Sequence, residues 1–238
     1  MKIDVLAFAA HPDDVELAGC GTLLMHQLAG KKIGIIDLTR GELGTRGTAE
    51  IRKEESDKAT QILNLDVREN LSLRDGFFEN NEESKLAIIK VLRKYQPEIV
   101  LANSLSDRHI DHGRAARLVA DSCFLAGLRK IETSDNNILQ EVWRPKAIYH
   151  FIQDRYIKPD IIVDISPVFD KKMEAIMAFK SQFYNPDSNE PETPISGKDF
   201  IEFLKARAIE FGRPIGVKYA EGFNVERPIG TRNLLDLL

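Results

Sequence analysis

The chain has 238 residues, 43% hydrophobic and 29% charged, with a formal net charge of −4. That size and balance suit a soluble globular domain with a substantial core. The mild acidity leaves no basic footprint for nucleic acid, and the longest apolar runs are too short to span a bilayer.

"KIDVLAFAA" follows Met1 at once and reads as a first core strand, because it carries no signal-peptide cleavage site. Val15 to about Ala29 predicts a helix with Leu17, Gly21, Leu24 and Leu28 on one face. "KIGIIDLT" is a second strand, then the Gly-rich "RGELGTRGT" leads into a helix from about Ala49 to Leu63. "VRENLSL" is a weaker strand, and a helix from about Ser84 to Tyr95 stops at Pro97. "EIVLANS", a helix from Gly113 to about Arg129, "KAIYHFI" and "DIIVDI" continue the rhythm. Strand and helix in alternation predict an α/β fold of right-handed βαβ units around a mainly parallel sheet.

After Ile165 the pattern changes. Helices from about Pro167 to Lys180 and Lys198 to Phe211 flank "SQFYNPDSNEPETPISG", a polar, Pro-rich loop that suits a lid or an interface. The tail predicts a short strand and a terminal helix. The whole reads as one domain, 1–238, with a core to about 166 and a C-terminal helical and loop elaboration over about 167–238. Cys20 and Cys123 fall in predicted helices and are expected to be buried free thiols of a cytoplasmic protein.

Two polar groups interrupt this scaffold. "HPDD", His11 to Asp14, ends the first strand. An N-cap role accounts for one aspartate, but not for the histidine and the second carboxylate. A dinucleotide fingerprint needs glycines in that turn; Gly19 and Gly21 come too late and suit close helix-to-sheet packing. "DRHIDH" ends a later strand with His109, Asp111 and His112, so three of the five histidines fall at two strand ends. His150, within a strand, reads as a satisfied core or edge histidine, and His26, in mid-helix, as structural or exposed.

Catalytic zinc takes three ligands from His and carboxylate groups and keeps one position open. His11, Asp14 and His112 are the candidate ligands, with Fe2+ or another divalent ion also compatible. Asp13 is placed to act as general base. His109 is placed to stabilise an oxyanion or protonate a leaving amine, and Asp111 to orient a histidine. No second ligand set supports a two-metal phosphoesterase, and a binding-only module would not need Asp13.

"AHPDD" with "HIDH" about a hundred residues later resembles the LmbE-like/PIG-L zinc-dependent N-acetylglucosamine deacetylases, and "IRKEES" resembles the helix between those motifs. The resemblance implies a Rossmann-like three-layer sandwich, zinc on His11, Asp14 and His112, Asp13 as base and His109 at the tetrahedral intermediate. It also implies sugar binding by Arg52, which would otherwise be a surface residue pairing with Glu55. Ile110 stands where the commoner motif has proline. "TRGELGTRGT", "FKSQFY" and "EGFNVERPIGTRNLLDLL" resemble the bacillithiol biosynthesis deacetylases, which implies N-acetylglucosaminyl malate as substrate. Its carboxylates would call on Arg40, Arg46 or Arg108, and Tyr184 would cover the substrate or lie at a subunit contact. The resemblance further implies a homo-oligomer. A related amidase acting on another acetamido sugar or a thiol conjugate would use the same groups.

Overall fold

A computed structural model describes residues 1–234. The first strand, β1 (Val5–Ala9), is buried along its whole length, as a strand covered on both faces must be. Two short helices follow, α1 (Asp14–Ala18) and α2 (Cys20–Leu28), then β2 (Ile33–Thr39), α3 (Ala49–Leu63), β3 (Val67–Leu73), α4 (Glu82–Tyr95), β4 (Ile99–Ala102) and α5 (Ile110–Ala126). A small hairpin, β5 (Ser134–Asp135) and β6 (Ile138–Leu139), precedes β7 (Ala147–Phe151) and β8 (Ile161–Asp164). The chain ends its described course with α6 (Phe169–Ile176), α7 (Lys198–Gly212) and β9 (Ala220–Val225).

The main sheet has the order β3-β2-β1-β4-β7-β9-β8. Strands β3, β2, β1, β4 and β7 run parallel, whereas β9 pairs antiparallel with both β7 and β8. One core layer joins the sheet to α1, α2, α3, α6 and α7; the other joins it to α4 and α5. The mainly parallel three-layer α/β architecture is therefore present. The segment expected as an elaboration also completes the sheet, since β9 lies between two strands of the core. The hairpin β5–β6 has no counterpart in the sequence reading. The expected terminal helix reaches residues 235–238, which lie outside the described residues.

Local chemistry explains most boundaries. Thr48 caps α3, its hydroxyl accepting from Ile51 N at 3.3 Å, and Asn81 caps α4, its side chain accepting from Ser84 N at 3.0 Å. Helix α5 starts three residues before the expected Gly113, because His109 serves as its N-cap and Asp111 brings a carboxylate to its first turn. The expected helix from Val15 to Ala29 is broken at Gly19. The break is filled from the sheet: Glu221 of β9 accepts from Gly21 N at 2.9 Å and Thr22 N at 2.7 Å. Lys172 of α6 donates to Glu221 at 2.6 Å and to the Leu17 carbonyl at 2.8 Å, closing both helix ends. Gly21 is needed for this approach, since a Cβ there would lie 2.8 Å from Glu221 and 2.9 Å from Ile165. Helix α6 stops short of Lys180 because Phe179 and Phe183 turn into the core. Cys20 and Cys123 are buried and free. Among the described residues no helix is long and apolar enough to cross a membrane.

Candidate active site

β1 and β4 are neighbours in the sheet, and the chain leaves them for opposite sides, towards β2 and β7. A crevice opens outside the carboxyl ends of such a strand pair. His11 to Asp14 leave β1 there, and Ser104 to His112 follow β4 into α5.

The first loop turns sharply at Asp13, whose φ of 118° is rare for any residue with a side chain. Asp13 occupies the N-cap position of α1, yet its carboxylate makes no capping bond. Arg52 of α3 holds it instead, Nη2 donating to Asp13 Oδ2 at 2.8 Å and to the Pro12 carbonyl at 2.5 Å. Arg52 is only 5% exposed, and Glu55 is engaged elsewhere, accepting from Ser181 N and Oγ, each at 2.7 Å. A surface Arg52–Glu55 pair is thus absent.

Asp14, 2% exposed, sits where the loops meet. Its Oδ2 accepts from His11 N at 3.0 Å and Asn103 Nδ2 at 2.9 Å, and its Oδ1 from Gln153 Nε2 at 2.7 Å. Oδ1 also lies 3.2 Å from His112 Nε2, and Oδ2 lies 3.6 Å from His11 Nδ1. Each histidine is backed by carboxylate on its other nitrogen. His11 Nε2 is 3.0 Å from Asp75 and 3.4 Å from Asp111, and His112 Nδ1 is 2.7 Å from Asp107. A carboxylate behind an imidazole is the arrangement that orients a histidine towards a metal. His11 Nδ1, Asp14 and His112 Nε2 therefore make a donor set suited to a divalent ion with nitrogen and oxygen preference. The trios whose ligand atoms all lie within 4.8 Å, among the described residues, are His11–His109–His112 and His11–Asp75–Asp111. Asp14 is in neither trio; it faces the two histidines through different oxygens.

Burial and charge set the proton inventory. Burial raises Asp13 to a pKa of about 7 although Arg52 opposes the shift. Burial works against the Asp14 carboxylate too, but His112 and His11 outweigh it and hold it well below the usual range. Burial likewise disfavours charge on His112, yet Asp14 and Asp107 lift it to about 9. His11 is raised against its burial by Asp111, Asp14 and Asp75. His109 is lowered by burial and by its histidine neighbours. It is neutral at neutral pH, and its Nδ1 accepts from Asp111 N at 3.3 Å, which puts its proton on Nε2.

These groups line a cavity of about 490 Å³. Apolar side chains contribute to its lining as well: Ile195 of the polar loop, Phe200, Phe203 and Leu204 of α7, and Leu43 and Phe77. Arg108 lines it and pairs with Asp154. Three other expected substrate contacts, Arg46, Tyr184 and Arg40, are not in the lining. Arg46 is drawn into the loop, donating to Ser188 Oγ at 2.6 Å and lying 3.6 Å from Glu190. Tyr184 is 40% exposed because its neighbour Phe183 takes the inward position. Arg40 lines a separate hollow beside α3. His150 is fully buried with Nδ1 2.9 Å from the Asn103 carbonyl, and His26 Nδ1 lies 2.8 Å from the Thr22 carbonyl. Asp75, Asn103, Asp107 and Gln153 are site residues that the sequence reading missed; only Asp75 and Asp107, acids at strand ends, offered a signal.

A parallel α/β sheet carrying a His/Asp-rich, metal-suited cleft at its carboxyl edge is the arrangement of an enzyme active site. The family model described as "PIG-L: GlcNAc-PI de-N-acetylase" matches residues 6–123, which hold both His/Asp groups. A solved structure of the conserved protein TT1542 from Thermus thermophilus superposes with a TM-score of 0.84 at 36% identity, covering 96% of this chain and 97% of that one. The N,N'-diacetylchitobiose deacetylase of Pyrococcus horikoshii gives a TM-score of 0.76 at 27% identity over 93% of this chain and 83% of that one. Diacetylchitobiose deacetylase of Thermococcus kodakarensis is 28% identical over 92% of this chain and 81% of that protein. The chain belongs to the PIG-L (LmbE-like) deacetylase family.

Proposed function

We propose that the protein uses zinc to hydrolyse the N-acetyl group of an N-acetylglucosaminyl conjugate, releasing acetate and the free amine. The observation that carries this reading is Asp13, a buried carboxylate held by Arg52 beside a donor set of His11, Asp14 and His112. Zinc bound there supplies a Lewis acid that polarises the acetamido carbonyl and acidifies water; Fe2+ fits the same donors. Arg52 occupies Asp13 Oδ2, so Oδ1 is the atom that takes the proton of the attacking water. His109 donates from Nε2 to the oxyanion. Proton return to the departing amine falls to one of these two groups. Asp111, Asp75 and Asp107 orient the histidines.

The preferred substrate in this reading is N-acetylglucosaminyl malate, which places the enzyme in bacillithiol biosynthesis. Arg108 is the cation of the cavity that pairs with a partly exposed acid, Asp154, and exchanges it for a substrate carboxylate. Two buried free thiols accord with a cytoplasmic enzyme, and a homo-oligomer is the expected assembly. Primary-amine release from the malate glycoside, N-acetylglucosamine and its methyl glycoside, with a chelated control, tests the proposal. A chelator-sensitive preference for the malate glycoside supports it. Equal rates on all three remove the pathway, and no release from any removes the deacetylase.

A further inference from the structure

Helix α1 carries Asp14 and begins at the strained Asp13, but it has only five residues. So short a helix does not hold its shape through its own hydrogen bonds, and a non-glycine residue at φ 118° persists only where its surroundings over-determine it. Arg52 grips the start of the turn from α3. A second arginine grips it from below. Arg68 of β3 donates from Nη1 to Glu16 Oε1 at 2.6 Å, and from Nε and Nη2 to the two oxygens of Asp37 at 2.8 and 3.0 Å. Glu16 is fully buried within α1, and Asp37 of β2 is 2% exposed.

This cluster is an unusual thing to keep inside a core. Two carboxylates share one guanidinium, and Glu16 Oε2 is buried with no partner. A buried ion cluster of this kind is a poor source of stability, and apolar replacements are often as stable. Its geometry does something that apolar packing does not. The bidentate Arg68–Asp37 pair fixes the guanidinium to the sheet, and the remaining Nη1 reaches Glu16, which with Asp14 is one of two buried carboxylates on α1. Glu16 lies three residues after Asp13 and two after Asp14, so its carboxylate sets the rotation of the turn about the α1 axis.

We infer that Arg68 is a positioning residue for the reaction, acting through Glu16 to hold the turn that presents Asp13 and Asp14. The inference rests on the deacetylase reading for its kinetic consequence, but not for its metal-binding consequence. Glu16→Leu is the informative variant, because it cuts the link to α1 and leaves Arg68 neutralised by Asp37. Glu16→Gln keeps an acceptor for Nη1 and serves as the conservative control.

The measurements are zinc affinity of the full chain, by competition with a chromophoric chelator, and kcat and KM for amine release, alongside thermal melting. Glu16→Leu should melt close to the wild type yet lose about 10–100-fold in kcat and in zinc affinity, the scale seen when a supporting contact to a ligand is removed. KM should stay near its original value, and Glu16→Gln should recover most of both losses. Unchanged kcat and zinc affinity in Glu16→Leu overturn the inference. So does a loss in both variants that follows a fall in melting temperature, which would mark a purely structural contact. Wild-type protein that releases no amine, with zinc affinity weakened in Glu16→Leu alone, overturns the deacetylase reading and supports the positioning role.

Discussion

Asp13 and Arg52 form a buried ion pair, 2.8 Å from carboxylate to guanidinium, across the turn that links β1 to α1. Burial raises the Asp13 pKa to about 7 and Arg52 restrains the rise. Deleting the guanidinium by Arg52→Met therefore moves the Asp13 pKa further up. The rising limb of kcat/KM against pH should shift to higher pH, with activity at pH 7 recovering as the pH is raised. Asp13→Asn should remove the limb and lower kcat by about 10²–10⁴-fold while zinc stoichiometry is unchanged. Asp13→Asn activity near that of the wild type would sink the assignment of Asp13 as base.

Metal binding should release protons. In the metal-free protein His112 titrates near 9 and His11 is also raised, so both rings are charged at neutral pH. A metal needs them neutral, so zinc added at pH 7 in weak buffer should displace about two protons per ion. Zinc affinity should rise from pH 7 towards 9. A calorimetric or indicator titration that detects no proton release contradicts the ligand set.

The same shift makes the metal-free fold sensitive to alkali. The His112 pKa is raised from 6.5 to about 9 on folding. Its stabilising contribution is then complete below about pH 6.5 and disappears as the pH climbs through about 9. Chelated protein should melt at progressively lower temperature across that window, and zinc should flatten the trend. A flat profile in the chelated protein would refute the raised value.

Lys172 and Glu221 are 4% exposed each and close the gap between α1 and α2. Lys172→Met leaves a buried carboxylate without its cation, at a cost of about 3–5 kcal/mol. Adding Glu221→Gln should recover part of that loss, because a neutral amide oxygen still accepts from the helix amides. Denaturant titration of the single and double variants reads both numbers. A loss below about 1 kcal/mol in Lys172→Met would show the staple to be dispensable.

Arg108→Gln should separate the sugar from its aglycone. Losing one charge-assisted hydrogen bond of about 1.5 kcal/mol should raise KM for the malate glycoside about tenfold. KM for the methyl glycoside should stay where it was. Equal effects on both substrates would take Arg108 out of carboxylate recognition.

The strand-end groups around His11 and His112 are legible in the sequence because parallel strands place their carboxyl ends on one edge, whatever lies between them. Gly21 is legible as a close-packing position for a similar local reason, whereas Gly19, where a Cβ would meet its nearest neighbour at an ordinary 3.5 Å, marks the break between α1 and α2. Asp75 is harder, since it follows the weakly patterned β3 and reaches His11 only through the fold. Asn103 and Gln153 carry no charge to draw notice, yet they occupy both oxygens of Asp14. Arg46 and Tyr184 fail as cavity residues because loop side chains have no periodicity to aim them; Phe183 and Ser188 decide their directions. The position of β9 is hidden for a topological reason. Consecutive strands tend to pair with each other, and here a distant one comes between β7 and β8.

That late strand has a consequence for how the enzyme comes into being. As the chain leaves the ribosome, β7 and β8 are both made well before Ala220–Val225, and each offers an open edge until then. Partly made chains with open strand edges are the ones that associate wrongly. Lys172 also waits for Glu221 over that interval, and the gap between α1 and α2 stays unfilled. The turn that carries Asp13 and Asp14 is synthesised long before Glu221, the support behind it.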